Sequence, residues 1–165
     1  MTYSRKTIPS PVGELTLIAS AKGLAAILWP NDDPRRVRLS PVQDDPDHPI
    51  LQEAERQLAA YFAGTLRAFT VPLDFNGTDF QKSVWAELLK IPHGETRSYG
   101  EIAHRLGRPT ASRAVGAANG RNPISIIAPC HRVIGSNGAL TGFAGGLDVK
   151  RRLLALEGAT VTTGR

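Results

Sequence analysis

The sequence predicts an α+β fold whose first half is a small antiparallel sheet with one helix and whose second half is mainly helical. Three short segments of the first half have the composition of strands and are separated by turns rich in Pro and Gly. These segments are residues 2–8, 14–19 and 24–29. After Gly77 the apolar spacing becomes helical and helix-capping pairs appear. This change of pattern predicts two domains, residues 1–77 and 78–165.

The first half also contains one predicted helix. Residues 31–49 are rich in Pro and Asp without an apolar period, so they are interpreted as a surface loop. The helix begins near Pro49 and ends at Gly64, and its apolar residues form one stripe. The stripe consists of Ile50, Leu51, Ala54, Leu58, Tyr61 and Phe62. Residues 69–75 are predicted to be a further extended segment.

Two capping boxes mark helix starts in the second half. They are Thr78 with Gln81 and Ser98 with Glu101. The first of these helices is predicted to bury Phe80, Val84, Trp85, Leu88 and Leu89. A turn at Gly107 separates the second helix from a third at 111–119, for which Thr110 is the predicted cap. The two short helices around this turn have the outline of a helix-turn-helix, and a last helix is predicted at 147–157.

The charge distribution suggests a polyanionic partner for the second half. Residues 1–79 carry eight Lys and Arg against ten Asp and Glu, whereas residues 80–165 carry twelve against five. Arg outnumbers Lys fifteen to five, which suits hydrogen bonding to phosphates and bases, although genomic composition also raises Arg content. The basic half is therefore the candidate nucleic-acid surface.

Several classes are excluded by what the sequence lacks. No apolar run approaches the ~20 residues of a membrane helix, and the first residues do not resemble a secretion signal. Cys130 is the single cysteine, so neither an internal disulfide nor a multi-cysteine metal site can form. We expect a cytoplasmic protein with no metal, no cofactor and no membrane partner.

Cys130 is the candidate reactive residue. A lone cysteine is usually a small buried apolar residue, but this one follows an apolar run that ends at Pro129 and precedes His131 and Arg132. A thiol with an ordinary pKa of about 8.5 needs a base or a nearby positive charge to become nucleophilic near neutrality. From these residues alone, a reactive thiol and an inert one both remain open.

Two other features allow two interpretations each. The third helix consists almost wholly of Ala, Gly and Ser, which suits either close packing of two helices or approach to a nucleic-acid groove with Arg113 as its one long side chain. Glu157 lies at a helix C-terminus, where a carboxylate is unfavourable. Glu157 is ordinarily a solvated surface group, and a buried role would need a partner such as a histidine.

The motif around Cys130 resembles the active-site signature of the O6-alkylguanine-DNA alkyltransferases. The signature is Asn122-Pro123, five intervening residues and Pro129-Cys130-His131-Arg132-Val133, and the pair is far more specific than either half. Further matches to the family, in order and spacing, are Ser98-Tyr99-Gly100-Glu101-Ile102-Ala103, Arg113-Ala114-Val115-Gly116, Gly145-Gly146-Leu147 and Leu156-Glu157-Gly158. The first half is similar to the family's ribonuclease-H-like N-terminal domain, with a less specific sequence.

The resemblance implies a set of catalytic roles. Cys130 would accept the alkyl group, and His131 would pass the thiol proton through a water to Glu157. Asn122 would brace the turn and hydrogen-bond near the active site. Tyr99 would donate to N3 of the leaving guanine and help to rotate the nucleotide out of the duplex.

The resemblance also implies residues that contact DNA and the flipped base. Arg113 would fill the gap left in the base stack, while the small-residue helix enters the minor groove. The expected phosphate contacts are Arg108, Thr110 and Ser136. The expected pocket residues are Val133, Phe143, Ala144 and Gly145. Some family members have a Ser at the position of Ala144 and a Tyr at that of Phe143, so this pocket has one hydrogen bond fewer.

The implied function is direct reversal of DNA damage in a single turnover. A methyl or alkyl group would pass from O6-alkylguanine in double-stranded DNA to Cys130 after base flipping, and O4-alkylthymine is an expected second substrate. The thioether product has no carbonyl for water to attack, so the thiol is not regenerated. We expect a monomer in solution, with cooperative binding along DNA left open. Some members bind zinc through N-terminal Cys and His, which this chain cannot do.

Two other functions stay open from sequence. One is a non-catalytic DNA-binding module that recognises alkylated bases, which would hold if Cys130 were buried too deeply to react. The other is a cysteine hydrolase, which would need His93 or His104 as its base and would turn over without DNA.

Overall fold

The structure is a computed structural model that describes residues 2–135, 137–138 and 140–159. The chain divides into two compact units, Met1–Asn76 and Gly77–Arg165. Each unit is described by itself below.

The first unit is a four-stranded sheet covered by one helix. Its strands are β1 (Tyr3–Ile8), β2 (Leu15–Ala19), β3 (Leu24–Leu28) and β4 (Val42–Asp44). The order is β3-β2-β1-β4, with antiparallel pairing between β1, β2 and β3 as predicted and a parallel pairing of β4 with β1. The loop predicted at 31–49 is therefore wrong at Val42–Asp44, because an edge strand of three residues is too short to show a period.

Helix α1 (Pro49–Phe62) covers this sheet. Its N-terminus is capped by His48, whose Nδ1 accepts from the Ile50 amide at 3.2 Å. Its stripe buries Leu51, Ala54, Leu58 and Tyr61, as the periodicity predicts. The extended segment predicted at 69–75 forms one isolated bridge, between Leu24 and Leu73, instead of a strand.

The described residues of the second unit form four α-helices. They are α2 (Asp79–Leu88), α3 (Tyr99–Arg105), α4 (Ser112–Gly120) and α5 (Leu147–Leu156). Both predicted capping boxes form, at the starts of α2 and α3. The Trp85 indole is fully buried, and its Nε1 donates to the Ala118 carbonyl at 2.9 Å, which fixes α2 against α4. The predicted burial of Leu89 is wrong, because it lies beyond the last turn of α2 and is 46% exposed.

The turn between α3 and α4 follows the predicted glycine. Gly107 has a φ of 72°, a conformation that costs little without a side chain, and the Arg108 amide then donates to the Ala103 carbonyl at 2.9 Å. Thr110 is not the helix cap. The N-cap position is Ala111, which has no side chain able to accept a hydrogen bond.

A short parallel pair, β5 (Arg97–Ser98) and β6 (Val133–Ile134), joins two distant parts of the second unit. It places the start of α3 beside the segment that follows a 3₁₀ turn, Cys130–Arg132. Strands of two residues have no detectable period, so the sequence does not predict this pairing.

Candidate active site

Cys130 begins the 3₁₀ turn and is 4% exposed. The preceding loop is held by Asn122, whose Nδ2 donates to the Ala128 carbonyl at 2.8 Å and whose Oδ1 accepts from the Ile124 amide at 3.1 Å. Asn119 of α4 donates from Nδ2 to the Cys130 carbonyl at 3.5 Å. Two buried amides therefore fix the backbone around the cysteine, and the sequence pointed to only one of them, Asn122.

The imidazole of His131 is fully buried against the carboxylate of Glu157. His131 Nε2 lies 2.7 Å from Glu157 Oε2, and both side chains have no exposed surface. Burial lowers the pKa of His131 below its ordinary value, although Glu157 opposes that shift. A neutral ring carries its proton on Nε2, because Nε2 is the nitrogen that donates to the carboxylate. The lone pair is then on Nδ1. Among the described residues Nδ1 has no hydrogen-bond partner, so it can accept a proton.

Arg132 is a second partner of Glu157. Its Nε donates to Oε1 at 2.8 Å and its Nη2 donates to Oε2 at 3.0 Å, while Nη1 donates to the Ile91 carbonyl at 2.6 Å. This two-point pairing fixes the carboxylate orientation and compensates its buried charge. Sequence reasoning gave Arg132 no structural role. The role could have been inferred from the sequence, because a Glu157 buried against a neutral histidine needs a cation and Arg132 is next to His131.

Lys150 of α5 is a fully buried ammonium in the same region. Its Nζ donates to the Val133 carbonyl at 2.8 Å, to the Thr141 carbonyl at 3.2 Å and to Thr141 Oγ1 at 3.4 Å. Burial lowers the pKa of Lys150 to about 8, and attraction to the Cys130 thiolate acts in the opposite direction. Sequence reasoning missed this residue, although a lysine three residues before Leu153 lies on the apolar face of the helix.

Tyr99 lies at the first position of α3, and its hydroxyl hydrogen-bonds with Thr141 Oγ1. A Cβ at Gly116 of α4 would lie 3.7 Å from Tyr99 Cδ1, which is an ordinary van der Waals distance, so the ring lies beside α4 at this position. Thr141 thus touches both Tyr99 and Lys150. The sequence analysis named Tyr99 but not Thr141, which lies in a Gly-containing loop without a local pattern.

The structure places the other predicted site residues as follows. Arg113, Arg108 and Thr110 are exposed, and the Arg108 guanidinium carbon lies 5.4 Å from the centre of the Phe80 ring. Val133 is fully buried, Phe143 and Gly145 are half-buried, and Ala144 is exposed. The predicted phosphate contact Ser136 lies outside the described residues.

The described residues bear on two of the expected absences, a membrane helix and a metal site. No described helix is long and apolar enough to cross a membrane. Residues 2–135, 137–138 and 140–159 contain no group of three or more His, Cys, Asp or Glu that could hold a metal ion, and the expected lack of a metal stays a prediction.

The chain matches two family models along most of its length. Residues 4–75 match the 6-O-methylguanine DNA methyltransferase ribonuclease-like domain, and residues 79–159 match the DNA binding domain of the same family. The chain therefore belongs to the 6-O-methylguanine DNA methyltransferase family. The predicted enzyme class, a methylated-DNA–protein-cysteine methyltransferase, is confirmed by named relatives, and the predicted α+β fold class is confirmed with it.

Several similar proteins carry the name methylated-DNA–protein-cysteine methyltransferase, among them the following two. The one from Methanosarcina acetivorans is 54% identical over 151 residues, which cover 91% of this chain and 95% of the relative. The one from Mycobacterium tuberculosis strain H37Rv is 53% identical over 154 residues, which cover 92% and 90%.

Several solved structures are similar over nearly the whole chain, among them the following two. The crystal structure of Mycobacterium tuberculosis OGT in complex with DNA has a TM-score of 0.86 and 51% identity, covering 96% of this chain and 93% of that one. The O6-methylguanine DNA methyltransferase of Methanococcus jannaschii has a TM-score of 0.66 and 28% identity, covering 97% of each chain.

Proposed function

We propose that the protein repairs double-stranded DNA by transferring the alkyl group of O6-alkylguanine to Cys130 Sγ, and that each molecule reacts once. One observation carries this proposal: in a chain of this family, His131 directly follows the single cysteine and forms a buried pair with Glu157. O4-alkylthymine is the expected second substrate.

The first step is activation of the thiol. His131 Nδ1 takes the Cys130 proton through a water, and the imidazolium that forms is stabilised by Glu157. Support comes from the lowered pKa of His131, which keeps the ring neutral and its Nδ1 lone pair available near neutral pH. Arg132 and Asn122 act as positioning residues, since they hold Glu157 and the cysteine loop in place.

The second step is displacement at a saturated carbon. The thiolate forms an S–C bond, the C–O6 bond breaks, and its electron pair goes to the guanine. A proton donated by Tyr99 to N3 makes the base a better leaving group. The product thioether offers no route back to the thiol, so the protein is consumed.

The DNA surface is proposed to be the α3–turn–α4 segment acting as a helix-turn-helix in the minor groove. Support comes from the exposed Arg113 on a helix of small residues and from the excess of basic residues in this half of the chain. Extruding the nucleotide costs a few kcal/mol, which Arg113 offsets by filling the stack. Arg108, Thr110 and Ser136 are the proposed phosphate contacts.

The remaining assignments follow from the same proposal. Val133, Phe143, Ala144 and Gly145 would line the pocket for the extruded base. The domains predicted at 1–77 and 78–165 would be a ribonuclease-H-like domain and a DNA-binding domain that holds the active site. We further propose a cytoplasmic monomer that needs no cofactor.

Titration of the protein with a duplex carrying one radiolabelled O6-methylguanine tests this function. Label on the protein should rise to one equivalent and stop, because the thioether is permanent, and peptide mass spectrometry should place the methyl on Cys130. An unmethylated duplex is the control. Sustained turnover would contradict the proposal, and an unmodified Cys130 with tight lesion binding would favour the non-catalytic module.

Arg113→Ala is expected to slow repair of duplex DNA by about 10-fold or more while leaving transfer from free O6-benzylguanine unchanged. The reason is that stack filling matters only when a base leaves a duplex. Single-turnover rates on both substrates measure the effect. Arg151→Ala is the matched control, because it removes the same charge from an exposed arginine of α5. Equal slowing on both substrates would contradict the role of Arg113.

A further inference from the structure

Lys150 is a buried cation that the proposed function leaves without a task. Its ammonium has three protons, and the structure shows three oxygen atoms around it: the Val133 carbonyl, the Thr141 carbonyl and Thr141 Oγ1. The two carbonyls fix the ammonium between β6 and the loop at 141. The third contact, at 3.4 Å, is the longest, and hydrogen bonds of this kind often tighten only when substrate is bound.

Thr141 connects this ammonium to the phenol of Tyr99. Its Oγ1 hydrogen-bonds with Tyr99 Oη and also accepts from Lys150 Nζ. A hydroxyl has one proton to donate and two lone pairs, so Thr141 can accept from Lys150 while it donates to Tyr99. The three side chains therefore form a continuous hydrogen-bonded path from a buried cation to the proposed donor of the leaving base.

We propose that Thr141 is a positioning residue that relays a proton from Lys150 to Tyr99 as the alkyl group is transferred. This inference rests on the proposed function, because it concerns the same leaving guanine. Tyr99 touches the base, whereas Thr141 and Lys150 act through Tyr99.

The relay balances as follows. The Cys130 thiolate forms the S–C bond, the C–O6 bond breaks, and the electron pair passes to the guanine. Guanine N3 takes the Tyr99 proton, Tyr99 takes the Thr141 hydroxyl proton, and Thr141 takes one from the Lys150 ammonium. Lys150 is left neutral and later regains a proton from water.

The acidity of Lys150 suits this direction of transfer. Burial lowers its pKa to about 8, so the ammonium gives up a proton more readily than an exposed lysine does. Below pH 8 the lysine is still charged. Charges on Cys130 and His131 also interact with the ammonium, so a pH profile alone would not separate the relay from thiol activation.

Two reactions of the intact chain separate the relay from thiol activation. Transfer from O6-methylguanine in a duplex needs a proton for the base, whereas alkylation of Cys130 by iodoacetamide expels iodide and needs none. Thr141→Val keeps the shape of this half-buried side chain and removes its hydroxyl. We expect it to slow duplex transfer by about 10- to 100-fold, toward the lower end of general acid catalysis, and to change the iodoacetamide rate less than about twofold.

Two matched variants complete the test. Thr141→Ser keeps the hydroxyl and is expected to retain nearly the wild-type transfer rate. In a Tyr99→Phe background, Thr141→Val is expected to have no further effect, because the relay already lacks its last member. Wild-type transfer rate in Thr141→Val, equal slowing of both reactions, or additive effects with Tyr99→Phe would each overturn the relay. Failure of the wild-type protein to transfer any alkyl group would instead overturn the proposed function.

Discussion

Replacing Cys130 with alanine is expected to abolish alkyl transfer completely while leaving affinity for alkylated duplex DNA within about threefold. The thiolate is the only nucleophile in the proposed reaction, so no slower route remains. Most of the proposed DNA contacts lie on α3, α4 and the turn between them, and none is made by the Cys130 side chain. Incubation with a labelled O6-methylguanine duplex, followed by denaturing electrophoresis, measures transfer, and fluorescence anisotropy measures binding.

The wild-type protein gives the reference for both measurements, and Cys130→Ser adds a second variant. A serine hydroxyl is far less acidic than a thiol, so this variant should also be inactive although it keeps a polar atom at the site. Label that still appears on Cys130→Ala would show that another side chain is the acceptor. Loss of DNA binding in both variants would show that the cysteine loop contributes to the DNA surface.

Replacing Glu157 with glutamine is expected to destabilise the second unit by about 3–5 kcal/mol. The carboxylate accepts from both Arg132 and His131, and its removal leaves a buried guanidinium without a compensating charge. Urea denaturation followed by tryptophan fluorescence measures the loss, because Trp85 is buried in this unit. Glu95→Gln is the control: its pairing with Arg97 is 52% exposed on the glutamate side, and such pairs contribute about 0–1 kcal/mol.

Glu157→Gln should also differ from Thr141→Val in its kinetics. Loss of Glu157 weakens His131 as a base, so transfer from guanine and alkylation by iodoacetamide should slow together. Thr141→Val should slow only the first reaction. A Glu157→Gln variant with wild-type stability and wild-type rates would contradict both the structural and the catalytic role assigned to this carboxylate.

Local signals explain what the sequence could predict. A capping box is complete within four residues. The starts of α2 and α3 can therefore be predicted from Thr78 with Gln81 and from Ser98 with Glu101. The strands β1, β2 and β3 are long enough to show strand composition between turns. Cys130 with its following His131 is likewise a contiguous motif, which made Cys130 the predicted reactive residue before any distance was known.

Contacts between residues that are far apart in the sequence explain what the sequence could not predict. Arg132 binds Glu157, which lies 25 residues further along the chain. Lys150 binds the backbone carbonyls of Val133 and Thr141, and any residue at those two positions could supply them. Every residue has a backbone carbonyl, so the sequence does not show which carbonyl accepts a hydrogen bond. The same reason hides β5 and β6, whose pairing is set by main-chain hydrogen bonds between two-residue segments.

The position of Glu157 has a consequence for synthesis of the protein on the ribosome. Chains emerge from the N-terminus, and the imidazole and guanidinium of residues 131 and 132 leave the exit tunnel before the carboxylate that binds them. Their burial is unfavourable until α5 has emerged and docked. A nascent chain therefore forms this buried cluster only after α5 has been synthesised, so burial of both side chains depends on that helix.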